Sequence, residues 1–300
     1  MDSHRRVFAG LDIGKTKMAA SVITEDGDML SSMITATDLE DDGSHVMDQA
    51  KALIREAVSK AGREIGGVGV CTIGIVDTDA GKVKYSSIRG IVGDMRKSFQ
   101  NEFHVPVLVS NDVVTPAYGE YLYGASRNTS LSAYMTISTG FGLGIIRNGE
   151  IERGSSDMAG LLGPLDLYGR GKSIEYMLGG RGIATRASEA MGREVSTRDA
   201  FELAKDDGNP CNQIIADAVN TAAGIIGIIQ CAIDPEVIVL GGSVATNQPD
   251  FVKRIQKRAE EMLEPYKQHD GLKLVVSELG QTNGMLGAVG LLARSMGQDA

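Results

Sequence analysis

The chain opens with a strand, a tight turn and a returning strand, and the same pattern recurs near its middle. The first copy runs from Ala9 to Lys17 and the second from Thr136 to Gly144. In both copies a β-rich apolar run leads into a turn that contains glycine. This internal repeat predicts two similar α/β halves, each with a glycine turn. Ligands in such folds bind at the carboxyl ends of strands, where the halves meet.

The composition restricts the class of protein. A length of 300 residues allows one large domain or two medium ones, and a hydrophobic share of 42% is ordinary for a globular chain. The formal net charge of -9 argues against a generic binder of nucleic acid or of anionic membranes. The 38 glycines come with only 7 prolines and no low-complexity run, which favours tight turns near ligands over disorder.

The sequence also predicts the compartment. Cys71, Cys211 and Cys231 show no paired spacing and are typical of reduced thiols in the cytoplasm. A charged start at Met1–Arg6 that leads directly into a strand predicts no signal peptide. Apolar stretches such as Ile225–Ile229 are too short to span a bilayer, so no membrane partner is expected.

Apolar periodicity predicts alternating strands and helices along the whole chain. The predicted strands are Val7–Ile13, Lys17–Thr24, Met29–Thr35, Val68–Val76, Val105–Val109, Ser132–Ser138, Leu143–Arg147, Val237–Leu240 and Leu272–Ser277. The predicted helices are Val46–Ala61, Val113–Tyr123, Ser173–Leu178, Gly182–Met191, Ser196–Lys205, Asn212–Ala232, Phe251–Met262 and Gly284–Met296.

The first turn follows Asp12 and contains Gly14, Lys15 and Thr16 before Lys17. A carboxylate at a strand end can hold Mg²⁺ through water while neighbouring backbone amides contact phosphate. An ordinary hairpin with an aspartate cap is the alternative.

The second turn, Ser138–Gly144, alternates glycines, whose backbone N–H groups can cradle an oxyanion. A single glycine-rich turn is weak evidence for a phosphate site, because many hairpins contain one. The evidence is stronger here because the first turn has a similar pattern. The strand Val237–Leu240 ends in Gly241-Gly242, which favours close approach to a flat ligand such as adenine, with a plain tight turn as the alternative.

The strand Val105–Val109 delivers Asn111 and Asp112 at its carboxyl end. There Asp112 can accept a proton from a substrate hydroxyl. Capping of the following helix is the alternative role, since Asp and Asn serve as caps equally well.

Taken in order, these motifs resemble the ROK family, which groups sugar kinases, related open reading frames and repressors. Asp12–Lys17 resembles its first phosphate motif, and Thr139–Gly144 resembles the second. Asn111-Asp112, followed by Tyr118-Gly119-Glu120, is similar to the catalytic segment. Asp234–Gly242 is similar to the adenosine strand, and the resemblance extends roughly from Val7 to Ala293.

The resemblance implies an actin-like ATPase (ribonuclease H-like) fold, with two α/β domains around a cleft. It places a smaller domain at residues 1–113, completed by the helix at 285–300, and a larger one at 114–284. It implies ATP and Mg²⁺ as cofactors, a sugar as substrate and a cytoplasmic homodimer. The phosphoryl acceptor would be a sugar hydroxyl, the 6-hydroxyl being favoured.

The same resemblance assigns roles to residues. Asp112 would be the catalytic base, and Gly74, Asn111, Asp112 and Glu175 would contact the sugar, although Glu175 also suits a solvated helix. Asp12 would hold Mg²⁺ through water. The implied ATP and phosphate contacts are Asp12, Gly14, Lys15, Thr16, Lys17, Thr139, Gly140, Gly142, Gly241 and Gly242. Lys15 stands where the family has glycine and equally suits an exposed turn.

Two family patterns are absent. Ala159–Pro164 replaces a segment that ends in Glu-Ile-Gly-His, so Leu161 and Pro164 stand at the Glu and His positions. The zinc cysteines are replaced by Asp166, Tyr168 and Ser173, which predicts no structural zinc site. We expect the loop to be held by packing of the leucines instead, which are Leu161, Leu162, Leu165 and Leu167.

The lost polar contacts leave an apolar wall, and Ser86–Ile88 stands where relatives often have a sugar-contacting Asn. Such a wall favours a 2-acetamido sugar, with N-acetylmannosamine ahead of N-acetylglucosamine and glucose as the runner-up. A repressor needs a DNA-binding module ahead of the first strand, and only six residues precede Val7, so no nucleic-acid partner is expected. A non-catalytic sugar sensor stays open, although the retained Asp12 and Asp112 favour an enzyme.

Overall fold

The computed structural model describes residues 5–155, 158–167, 169, 171–266 and 272–298. The chain divides into two compact units. Unit 1 consists of Met1–Gly124 and Thr282–Ala300, and unit 2 consists of Ala125–Gln281.

Unit 1 is built mainly from the N-terminal part of the chain. Its strands are β1 (Val7–Ile13), β2 (Lys17–Thr24), β3 (Met29–Ala36), β4 (Val68–Thr72), β5 (Ile75–Asp77), β6 (Lys82–Tyr85), β7 (Gly93–Asp94) and β8 (Val107–Asn111). Its first three helices are α1 (Val46–Ala61), α2 (Met95–Phe103) and α3 (Val114–Tyr123).

Unit 2 follows, and the last helix returns to unit 1. The strands of unit 2 are β9 (Leu131–Ile137), β10 (Phe141–Arg147), β11 (Glu150–Ile151), β12 (Val237–Gly241) and β13 (Leu274–Val276). Its helices are α4 (Ile174–Leu178), α5 (Gly180–Met191), α6 (Thr197–Leu203), α7 (Pro210–Ala232), α8 (Ser243–Asn247) and α9 (Pro249–Leu263). Helix α10 (Asn283–Gln298) belongs to unit 1.

The main sheet of unit 1 has the order β3-β2-β1-β4-β8. Strand β1 is antiparallel to β2 and parallel to β4, which is parallel to β8. The apolar face of α1, which includes Val46, Leu53 and Ile54, is buried in the core of this unit. Helix α10 packs against α3, β1 and β4.

The first unit extends further along the chain than residue 113, where the sequence places the domain boundary. The backbones of α3 and α10 approach so closely that a Cβ on Gly119 would strike the carbonyl of Asn283, and one on Gly287 would strike that of Thr115. Helix α3 is therefore part of unit 1, which ends at Gly124 and resumes at Thr282 rather than at 285.

The predicted strand Val68–Val76 is wrong in its second half. Strand β4 ends at Thr72, and Gly74 has a φ of 121°, a conformation that L side chains rarely adopt. The chain then turns away into a separate three-stranded sheet, in the order β5-β6-β7. Strands β6 and β7 and helix α2 were not predicted from the sequence.

Unit 2 repeats the plan of unit 1, with the sheet order β11-β10-β9-β12-β13. Helix α7 crosses its core and packs against α4, α5, α6 and α9. At 23 residues and a mean hydropathy of 1.6, α7 is long and apolar enough to cross a membrane, which the search for short apolar stretches overlooked. Half of its most apolar segment is buried inside the protein, as expected for a core helix.

Candidate active site

The first predicted phosphate turn is a three-residue connection between β1 and β2, pinned by hydrogen bonds. The N–H of Gly14 donates to the carbonyl of Lys17 at 3.0 Å. Thr37 holds the other side, since its Oγ1 donates to the Gly14 carbonyl at 2.8 Å and its N–H to the Thr16 carbonyl at 3.2 Å. The side chains of Lys15, Thr16 and Lys17 are exposed, so they are accessible to a ligand.

Asp12 lies at the carboxyl end of β1, beside Cys71 of β4 in the sheet register. Burial raises the pKa of Asp12 from 3.8 to about 6, while a hydrogen bond with Cys71 and the charge of Lys17 lower it. Oδ2 of Asp12 would be 3.5 Å from a Cβ on Gly284, in the first turn of α10. The N-terminal end of a helix favours a nearby carboxylate, so this position suits an anionic Asp12.

Asp112 follows directly on the last residue of β8, and its N–H donates to the carbonyl of Thr72 at 3.1 Å. The neighbouring Asn111 binds the backbone at the start of α3: its Oδ1 accepts hydrogen bonds from the N–H groups of Val113 and Val114 at 3.0 and 2.9 Å. The capping role that the sequence offered as an alternative for Asp112 therefore belongs to Asn111. This engagement leaves only the amide nitrogen of Asn111 for its expected sugar contact.

The two carboxylates flank one buried thiol. Burial raises the pKa of Cys71 well above its ordinary value, and the charges of Asp12 and Asp112 raise it further. Asp12 and Asp112 therefore belong to a single cluster at the carboxyl ends of β1, β4 and β8. The structure brings together the two residues to which the sequence assigned metal binding and proton transfer.

Gly74 and Ser86, both expected near a sugar, are neighbours in unit 1. A Cβ on Gly74 would lie 3.1 Å from the Cβ of Ser86 and would strike the carbonyl of Tyr85. The Oγ of Ser86 accepts from the N–H of Ile88 at 3.2 Å, and Ser86 is buried.

The second predicted turn is shorter than the sequence suggests. Strand β10 begins at Phe141, so Gly142 lies inside the strand opposite Thr136, and the predicted turn Ser138–Gly144 is wrong beyond Gly140. The N–H groups of Gly180 and Arg181, at the start of α5, donate to the carbonyls of Ser138 and Thr139 at 2.8 and 3.0 Å.

Glu175 lies beside this second turn. Its N–H donates to the carbonyl of Gly163 at 3.0 Å, and a Cβ on Gly140 would lie 2.6 Å from its Oε2. Glu175 is exposed, but its carboxylate lies against the Gly140 backbone, which an ordinary surface helix residue need not do.

The glycine pair at the end of β12, Gly241 and Gly242, has an internal packing role. A Cβ on Gly241 would strike the hydroxyl of Tyr134, and one on Gly242 would strike the carbonyl of Ile137. Gly242 also has a φ of 86°. Packing within unit 2 therefore accounts for both glycines, whether or not a ligand approaches them.

A cavity of about 690 Å³ lies within unit 2, a size usual for a small-molecule site. It includes the second turn, the starts of α5 and α6, and α8. The lining residues are Ser138, Thr139, Gly180, Arg181, Thr197, Arg198, Phe201, Glu202, Ser243, Val244, Asn247 and Gln248.

Most of this lining was not predicted from the sequence, including the exposed side chains of Arg181 and Arg198. One local signal was available: Ser196 caps α6 by accepting from the N–H of Asp199 at 3.1 Å. A Ser-Thr-Arg-Asp start therefore marks where Thr197 and Arg198 begin the helix.

The residues of each unit, taken separately, suit one part of a magnesium–nucleotide group. Mg²⁺ is usually bound by one or two carboxylates plus substrate phosphates, and Asp12 supplies such a carboxylate. Arginines, hydroxyls and backbone N–H groups, which line the cavity in unit 2, suit phosphate.

No group of three or more His, Cys, Asp or Glu side chains that could hold a metal ion lies within the described residues. Of the positions that replace the zinc cysteines, Tyr168 lies outside the described residues. Asp166 accepts from the N–H of Gly171 at 2.6 Å, and Ser173 caps α4 by accepting from the N–H of Tyr176 at 3.1 Å. We predict less than stoichiometric zinc in the purified protein by elemental analysis, and one zinc per chain would contradict this.

The leucines expected to hold this loop do not pack together. Leu161, Leu165 and Leu167 are exposed, Leu161 by 55%. Only Leu162 packs against the core of unit 2. Backbone hydrogen bonds hold the loop instead, including those from the N–H of Ile174 to the carbonyl of Leu165 at 2.8 Å and from that of Leu165 to Leu162 at 3.0 Å.

Comparisons with known proteins identify the family of the chain. A model of the ROK family matches residues 8–295. An uncharacterised protein of Clostridium perfringens is 30% identical, covering 94% of this chain and 96% of that protein. The N-acetylmannosamine kinase of Escherichia coli is 28% identical, covering 78% of this chain and 82% of the kinase. The crystal structure of the ROK hexokinase from Thermus thermophilus is similar with a TM-score of 0.83 and 28% identity, covering 98% of this chain and 100% of the hexokinase.

Proposed function

The chain belongs to the ROK family and has its actin-like fold, and we propose that it is an ATP-dependent kinase that phosphorylates a hexose-type sugar. The observation that carries this proposal is the cavity in unit 2, where Ser138 and Thr139 of the second turn line the wall together with arginines and hydroxyls that suit phosphate. The carboxylate cluster in unit 1 supports it, because phosphoryl transfer to a hydroxyl needs a metal ligand and a proton acceptor.

The residues of unit 2 would hold the nucleotide. Arg181 and Arg198 bind phosphate oxygens by charge-assisted hydrogen bonds, and the turn at Thr139 and Gly140 adds backbone N–H groups. When bound, Mg·ATP supplies the phosphoryl group. Transfer of this group depends mainly on positioning and charge stabilisation, which these donors provide.

The residues of unit 1 would act on the acceptor. Asp112 accepts the proton of the attacking sugar hydroxyl, for which the 6-hydroxyl is favoured. Asp12 holds Mg²⁺ through water, and Gly74 and the amide nitrogen of Asn111 contact the sugar.

For the sugar we favour N-acetylmannosamine. Leu161 is 55% exposed and Pro164 is also exposed, so neither side chain is buried in the core of unit 2. They are available to contact an acetamido methyl, and burial of one methyl contributes about 0.8 kcal/mol, a preference of a few-fold. The E. coli N-acetylmannosamine kinase among the relatives agrees with this choice. Glucose is the second candidate.

A phosphoryl-transfer assay with ATP and four sugars tests the proposal. The panel is N-acetylmannosamine, N-acetylglucosamine, glucose and mannose, with the Asp112→Asn variant as the inactive control. We expect the highest kcat/KM with N-acetylmannosamine. A clear preference for glucose over both acetamido sugars would contradict the choice of substrate, whereas no transfer to any sugar would favour a non-catalytic sensor.

A further inference from the structure

Cys71 occupies the centre of the carboxylate cluster in unit 1. It is 1% exposed and is the register partner of Asp12 in the parallel pair β1–β4. Its Sγ would lie 2.9 Å from a Cβ on Gly284, and Oδ2 of Asp12 would lie 3.5 Å from the same point. The thiol and the carboxylate therefore share the space that Gly284 leaves open beneath α10.

The direction of the thiol hydrogen bond follows from the neighbouring hydroxyl. Thr115 also contacts the sulfur, but its Oγ1 donates its one hydrogen to the carbonyl of Asn111 at 2.7 Å. The S–H hydrogen is therefore available to an acceptor, and the carboxylate of Asp12 is a stronger acceptor than a hydroxyl.

The geometry assigns the thiol the role of donor. Cys71 is buried beside Asp12, and an ionised carboxylate only accepts hydrogen bonds, so the S–H group is the donor of this pair.

We propose that Cys71 is a positioning residue whose S–H group donates to Asp12 and fixes the orientation in which that carboxylate supports the metal–phosphate site. The role in metal binding depends on the kinase function proposed above, whereas the hydrogen bond itself does not. The two parts therefore have separate tests.

The hydrogen bond is tested by infrared spectroscopy of the S–H stretch. The protein carries Cys211→Ala and Cys231→Ala, so that Cys71 contributes the only thiol band. Replacing the strong acceptor by Asp12→Asn is expected to shift the band to higher frequency, and Thr115→Val is expected to leave it in place. A band that moves in Thr115→Val but not in Asp12→Asn would overturn the proposal. This measurement keeps the native Cys71 and needs no kinase activity.

The positioning role is tested by calorimetric titration of ADP with and without Mg²⁺. Loss of one hydrogen bond in Cys71→Ala should weaken Mg·ADP binding roughly five-fold and leave metal-free ADP binding unchanged. The conservative Cys71→Ser should restore most of the affinity. Cys211→Ala, which removes another buried thiol in unit 2, is the matched control and should match the wild type.

Equal Mg·ADP affinity in Cys71→Ala and the wild type would overturn the positioning role. A wild-type protein that binds no Mg·ADP would instead contradict the kinase function, and the S–H band would still decide whether the hydrogen bond exists.

Discussion

Units 1 and 2 place different chemistry at the same position of the same sheet. In each, the central strand pairs with an antiparallel strand on one side and with a parallel strand on the other. An antiparallel pairing continues the sheet on the first side and a parallel pairing continues it on the second. The next-to-last residue of the central strand is Asp12 in unit 1 and Thr136 in unit 2. Its register partner in the parallel neighbour is Cys71 in unit 1 and Gly241 in unit 2.

Because the two sheets have the same plan, this difference indicates that the two units have different chemical roles. Unit 1 has a carboxylate at this position, and burial raises the pKa of this residue, Asp12, to about 6. Unit 1 therefore holds a charge that is poorly solvated above that pH. Such a perturbed carboxylate is typical of a functional site. Unit 2 has a hydroxyl and a glycine there, and its cavity is lined by exposed arginines that suit a polyanion. We therefore propose that unit 1 supplies the base and the metal ligand, and that the arginines of unit 2 bind the phosphates of the nucleotide.

The largest expected effect comes from Asp112 in unit 1. Loss of a positioned base typically lowers the rate by about 10²–10⁴-fold, so Asp112→Asn should lower kcat by that factor. Its melting temperature and ATP affinity should stay near those of the wild type. The control is Asp250→Asn, whose side chain is 92% exposed in unit 2. Wild-type kcat in Asp112→Asn would end the assignment of this base.

The second variant removes the charge of Asp12. A group that acts on a metal through its water typically contributes about 10- to 100-fold, so Asp12→Asn should lower Mg²⁺-dependent turnover by that factor. Sugar affinity should survive. A variant that loses sugar affinity alone, with unchanged use of ATP, would contradict the metal role.

The same variant should gain stability in the absence of metal. Since the folded-state pKa is about 6 and the ordinary value is 3.8, ionised Asp12 destabilises the fold once the pH exceeds both values. Asp12→Asn should therefore be more stable than the wild type above pH ~6 by about 1–3 kcal/mol, with the gain vanishing below pH ~4. Urea unfolding in EDTA at several pH values measures this. A variant less stable than the wild type at neutral pH would contradict the desolvated charge.

The sequence predicted the repeat well but not the lining of the cavity. Helix α1 begins and ends at Val46 and Ala61 as predicted, because its apolar residues follow one regular helical stripe. The ROK resemblance and the actin-like fold are confirmed. Arg181 and Arg198 were missed, because exposed arginines at helix starts look the same in a sequence whether or not a cavity lies beside them. The prediction that leucines hold the loop by packing was wrong, because an apolar side chain suggests burial in a sequence, whereas Leu161 is 55% exposed in the structure.

A smaller effect is expected from Arg181 in unit 2. A hydrogen bond to a charged group contributes about 1.5–3 kcal/mol, so Arg181→Gln should raise the KM for ATP roughly ten-fold or more, with little change in kcat. Arg193→Gln, in the exposed turn after α5, is the matched control, because Arg193 does not line the cavity. Equal KM values in the two variants would remove Arg181 from the nucleotide site.

The smallest effect is expected from Leu161. Exposed substitutions usually change stability by within about 0.5 kcal/mol, so Leu161→Gln should unfold like the wild type. Its preference for N-acetylmannosamine over glucose should fall a few-fold, the contribution of about one methyl contact. A large loss of stability would mean that Leu161 packs in solution, contrary to its exposure here.

The division of labour between the units is tested most directly by measuring kcat and the Kd for Mg·ATP on Asp112→Asn and Arg181→Gln side by side. Calorimetry is performed without sugar, and turnover is measured at saturating sugar and nucleotide. We expect opposite patterns: Asp112→Asn loses kcat at unchanged Kd, and Arg181→Gln weakens Mg·ATP binding at nearly unchanged kcat. If both variants change both quantities by the same factors, the assignment of the base to unit 1 and of the arginine contacts with the nucleotide to unit 2 is wrong.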